Sequence, residues 1–198
     1  MAAVPSIRLE LDSLRILRKR ERWKIYFLVA TEMPEDPSKT VVARFPDGEP
    51  IQLTRKTDNE VEFAPKGPNT EGMFLLERAM PADGTLRVSV YVMQQRDGLR
   101  KAGNIIEELG SMGGDNNVAS VLKSLGGATP WTVVGGLAGK GISGVGKLLE
   151  EAKDRQLGFI SMDESFTNDF DNTNEVPRSA KLASGNAEIA WSWVLASK

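Results

Sequence analysis

Apolar and polar residues alternate one by one through several short stretches of this chain, and that period of two narrows its fold more than any other feature. Ile7, Leu9 and Leu11 alternate with Arg8, Glu10 and Asp12. Ile25, Phe27 and Val29 repeat the pattern, and so do Leu86, Val88, Val90 and Val92. Near the end, Ile189, Trp191, Trp193 and Leu195 alternate with Glu188, Ala190, Ser192 and Val194. Such alternation puts one set of side chains on a buried face of a strand and the other in water. TVVARF at 40–45, PIQL at 50–53, EVEF at 60–63 and MFLLERA at 73–79 are further candidate strands. Turn-forming clusters lie between them: MPEDPS at 33–38, PDGEP at 46–50, TDN at 57–59 and PKGPN at 65–69. Strands at this spacing predict a mainly β chain, an antiparallel sandwich rather than a parallel α/β sheet.

The texture changes after Asp97. GLRKAGNIIEELGSMGG carries Leu99, Ile105, Ile106 and Leu109 at helical spacing. TPWTVVGGLAGKGISGVGKLLEEAKDR offers Thr129 as a helix cap and Pro130 as a first helical residue. The reading is a helical insertion over 98–154 within a single domain, 1–198. The sandwich strands then fall in 6–97 and 155–196. The glycines from Gly135 to Gly146 weaken that helix by about 1 kcal/mol each relative to alanine. QLGFISM at 156–162 returns to strand texture, and the polar residues 163–186 read as a long loop.

Composition removes whole classes of chemistry. The chain of 198 residues has no cysteine, so thiol catalysis, disulfides and cysteine zinc sites are excluded. It has no histidine, which excludes imidazole bases and every triad built on them. A net charge of −2 gives no pull toward nucleic acid. MAAVPSIRLELD lacks the basic and apolar regions of a secretory signal, and no run of about 18 apolar residues occurs. A cytoplasmic protein is the default expectation, with release by a non-classical route as the alternative.

Four motifs bear on function. GISGVGK places Gly141, Gly146 and Lys147 at the spacing of a phosphate-binding loop. The metal-binding hydroxyl is replaced by Leu148, and no buried strand precedes the motif, so close packing of a Gly-rich segment is the preferred reading. That segment offers Trp131, Val134, Leu137, Ile142, Val145 and Leu148 as an apolar surface for a protein partner or for lipid. Basic and acidic residues balance across 98–154, which gives no electrostatic attraction to a membrane. DFDNTNE at 169–175 spaces oxygen ligands like the start of a calcium loop, but Asn174 and Ala180 stand where glycine and glutamate are needed. A solvated loop is preferred there, with a looser calcium site on Asp169, Asp171 and Glu175 as the alternative. Arg18, Lys19, Arg20 and Arg22 form a basic patch, read as a charged hairpin tip able to meet an acidic partner.

The order of these features resembles a C2 domain, an eight-stranded antiparallel sandwich. IRLELDSLRI is similar to its first strand, TLRVSVYVMQQRD to the strand leading into the third calcium loop, and RQLGFISMDESF to the strand after that loop. Calcium-binding members carry aspartates after the strand matching VSVYV. Here those positions hold Met93, Gln94 and Gln95, and Arg20-Glu21-Arg22 replaces an aspartate near the first loop. The resemblance therefore implies a calcium-independent member with a protein partner.

The expectation is a non-catalytic scaffold, adaptor or assembly subunit. It needs no cofactor and binds a protein partner or its own copies through the Gly-rich insertion. The alternatives are a membrane-active C2-like protein using 129–149 and, behind it, a nucleotide-binding enzyme using Lys147.

Overall fold

A computed structural model describes residues 6–17, 23–33, 36–46, 49–53, 60–63, 73–95, 132–138, 154–166, 170 and 173–196. The alternating stretches form strands in it, and no helix occurs among the described residues. The first sheet, A, is built on β1 (Ser6–Ile16), which pairs antiparallel with β13 (Ala187–Ala196) so that Leu9 lies opposite Trp193. The other side of β1 is shared by β6 (Met73–Ala79) and the short β5 (Glu60–Glu62). Beyond β13 lies β12 (Glu175–Lys181), an edge strand.

The second sheet, B, runs β10-β8-β2-β3-β9, all neighbours antiparallel. Its strands are β2 (Trp23–Met33), β3 (Asp36–Phe45), β8 (Val88–Gln94), β9 (Thr132–Ala138) and β10 (Arg155–Ser161). β4 (Ile51–Leu53) pairs with the start of β2. A two-residue ladder joins β7 (Thr85–Leu86) to β11 (Glu164–Ser165).

One apolar cluster lies between the sheets, so the architecture is sandwich-like. β1 contributes Ile7, Leu9 and Leu11, then Leu14 and Ile16. Parity changes because the register slips between Leu11 and Ser13, a β-bulge at Asp12. Without it Leu14 and Ile16 would face outward. Sheet B supplies Ile25, Phe27, Val29, Ala43, Phe45, Val88, Val90 and Val92. Trp193 is fully buried and meets the edge of Phe166 at 5.2 Å. Arg78 of β6 donates across the sandwich to the Glu32 carbonyl of β2 at 3.1 Å.

Two expectations are corrected. Residues 132–138, read as part of the helical insertion, are strand β9. Thr132, Val133 and Val134 are β-branched, which favours a strand, and Gly135 and Gly136 disfavour a helix. The register slips across these glycines: Val134 lies opposite Val42, and Leu137 opposite Thr40. The rest of 98–154 up to Lys153 lies outside the described residues. Residues 163–186, read as a loop, contain β11 and β12. β12 is polar because only one of its faces meets the core, through Val176 and Ala180, and Pro177 is tolerated because the strand is at an edge.

Candidate functional site

The two sheets treat their outer faces differently. On sheet A the residues opposite the core are mostly polar. Arg8 pairs with Glu10 at 3.2 Å and with Glu77 at 3.3 Å. Ser6 donates to Glu77 at 3.1 Å, and Ser192 donates to Asp12 Oδ2 at 2.8 Å. Burial pushes the Asp12 carboxyl above its ordinary value. The Ser192 hydroxyl pulls it back, and the nearby Glu175 and Glu10 charges push it further up. The partly exposed Arg8–Glu77 pair contributes little net stability, as ion pairs near water do.

On sheet B the outer face is apolar and buried. Tyr26, Leu28, Ala30, Val42, Tyr91 and Met93 lie on the side opposite Ile25, Phe27 and Val90, and none is more than 4% exposed. Arg44 shares this face, buried, with its guanidinium 4.6 Å from the centre of the Tyr26 ring. A cation over an aromatic face is stabilised by the ring's quadrupole, the more so when desolvated. The Tyr26 hydroxyl donates to Asp154 Oδ2 at 2.8 Å, beside the start of β10. Tyr91 stacks at 5.9 Å on Phe159, which is 43% exposed and marks the rim of the face. Burial pushes the Tyr91 hydroxyl above its usual range, with Ser89 opposing through a hydrogen bond.

The strand edges differ as well. β12 presents Glu175, Pro177, Arg178 and Lys181, residues that discourage pairing with another chain. Arg178 is held by Glu164 at 3.0 Å. β10 is bridged to the turn after β12 by Ala183, which donates to the Phe159 carbonyl at 3.4 Å. β9, TVVGGLA, has no charge and no proline, and among the described residues nothing pairs with its outer side.

Of the apolar candidates, Val134 and Leu137 fall in this edge strand. Trp131, Ile142, Val145, Leu148 and the phosphate-loop residues Gly141, Gly146 and Lys147 lie outside the described residues. So do Asp169, Asp171, Arg18, Lys19, Arg20 and Arg22. Glu175 is the exposed first residue of β12. Among the described residues no group of three or more acidic side chains is arranged to hold a metal, and no helix is long and apolar enough to cross a membrane.

Sequence reasoning missed Tyr26, Arg44, Asp154 and Phe159. The signal was present in KIYFLVA and VSVYVM, where both parities are largely apolar. A strand buried on both faces reads as such a continuous run. Comparison with protein-family models, curated proteins and solved structures finds no match for the chain.

Proposed function

We propose that the chain is a non-catalytic binding or assembly subunit whose sandwich, a calcium-independent C2-like scaffold, presents β9 to a protein partner or a second copy. The observation that carries this reading is the contrast between edges. β12 has charges and a proline, whereas β9 at the edge of sheet B has neither. An edge strand's free N–H and C=O groups bind an added strand through main-chain hydrogen bonds, and neighbouring side chains supply selectivity. Val134 and Leu137 sit in the docking strand, on either side of the Gly135-Gly136 slip.

Light scattering of the purified protein, run beside liposome flotation, tests the idea. The expected result is a mass above one chain with no flotation. A Gly136→Lys variant should fall to one chain at an unchanged denaturation midpoint, because a lysine on an edge strand blocks pairing. Flotation with a single-chain mass would replace this reading with the membrane-active one. A single-chain mass without flotation would remove self-assembly.

A further inference from the structure

Arg78 is a buried cation whose hydrogen-bonding capacity is only partly used. It stands on β6 opposite the core residue Ile7, and only 9% of its surface is exposed. Its Nη1 donates to the Glu32 carbonyl at 3.1 Å. Its Nε is sealed from solvent and has no hydrogen-bond partner. Nη2 meets no acceptor among the described residues, yet it is not sealed. A buried charge without acceptors is costly, and native folds satisfy such groups almost without exception. Arg178 shows, in the same chain, what this edge of a guanidinium does when it is filled. Its Nε donates to Glu164 Oε2 at 3.0 Å and its Nη2 to Glu164 Oε1 at 3.2 Å. Two parallel bonds of this kind fit the two oxygens of one carboxylate.

Other segments converge beside Arg78 and are held in place. Arg87, between β7 and β8, pairs through Nη1 with Glu32 Oε1 at 3.4 Å, and its side chain is 63% exposed. Thr31 Oγ1 donates to the Arg87 carbonyl at 3.1 Å. Asp83 Oδ1 is occupied by the Thr85 amide at 3.0 Å, in the turn after β6. Burial pushes the Arg78 guanidinium below its ordinary value, and the Glu32 and Asp83 charges pull it back. We propose that the Nε/Nη2 edge of Arg78, flanked by Arg87, is a binding site for the carboxylate of a small acid. Two arginines and two carboxylates leave the cluster near neutral. It therefore suits a compact single charge better than a phosphate dianion, which Glu32 and Asp83 repel more strongly. Arg87 meets the ligand from the solvent side, and Arg78 orients it from below. The site does not depend on strand pairing at β9.

The test follows the Arg78 Hε–Nε resonance of the full chain by NMR while sodium acetate is added at pH 7. Sodium chloride and sodium phosphate at equal ionic strength are the comparisons. Acetate should move the resonance to saturation, and chloride should not. Arg78→Lys keeps the charge but removes the two-pronged edge, so the acetate response of the neighbouring Arg87 resonance should be lost in it. Arg87→Gln, at an exposed position, keeps the test open if Arg78→Lys fails to fold. It should weaken acetate binding about tenfold, the loss of one charge-assisted hydrogen bond. An acetate response no larger than that to chloride would overturn the proposal. So would binding that Arg87→Gln leaves unchanged, or phosphate saturating the site at a lower concentration than acetate.

Discussion

The outer faces of the two sheets have the same strand geometry and opposite chemistry. Sheet A covers its face with Arg8, Glu10, Asp12, Glu77 and Ser192, which pair with one another, and Arg8, Asp12 and Glu77 remain partly exposed. Sheet B covers its face with Tyr26, Leu28, Ala30, Val42, Tyr91 and Met93, which are buried. The difference teaches that sheet B is an inner layer and sheet A an outer one. A sheet with one wet face alternates along each strand, and a sheet with two dry faces does not.

The largest expected effect breaks this comparison at its centre. Leu28→Ala should cost about 2–5 kcal/mol in urea unfolding, the usual range for a buried leucine. A cost near zero would mean that the outer face of sheet B is not an interior surface. Next comes Gly158→Ala, where the two sheets are tied at one side. A Cβ there would lie 2.8 Å from Ser184 Oγ and 2.9 Å from Leu182 Cβ, so the turn after β12 must move. The expected loss is about 1–3 kcal/mol, seen as a lower urea midpoint. Arg8→Ala, on the polar face, should cost about 1 kcal/mol, because Arg8 and Glu77 are partly solvated although Glu10 is buried. If it cost as much as Leu28→Ala, the contrast between the faces would collapse.

The smallest effect is one of pH. Asp12 is held above its ordinary value of 3.8, chiefly by burial. A carboxyl raised in the folded state binds its proton more tightly there, so its contribution to stability is fullest below pH 3.8 and is lost as pH rises through the folded value. Asp12→Asn should therefore gain on the unsubstituted protein as pH rises from the acid range to neutrality. A stability difference that stays flat with pH, measured by urea unfolding at several pH values, would show that Asp12 is no more desolvated than its neighbours.

Much of this architecture was legible in the residues. The strands carrying Leu9 and Trp193 announce themselves, because a half-buried strand writes its geometry into a period of two. The polar edge strand β12 was not legible: only Val176 and the small Ala180 mark its buried side, and Pro177 reads as a breaker when its neighbours are unknown. β9 was misread because valine and leucine near glycine suit a packed helix as well as a strand, and pairing with β3 decides between them. For the candidate site, sequence reasoning picked out Val134 and Leu137 but gave them a helical surface.

The sequence by itself determined the antiparallel β character, the apolar interior and the absence of thiol and imidazole chemistry, since these follow from local periodicity and composition. Only the tertiary structure decided that Asp12 bulges, that β9 joins β3 at the edge of sheet B, and that Arg44 lies over Tyr26. Each depends on a partner distant in the chain, and a residue's own neighbours in sequence carry no record of which strand will come to lie beside it.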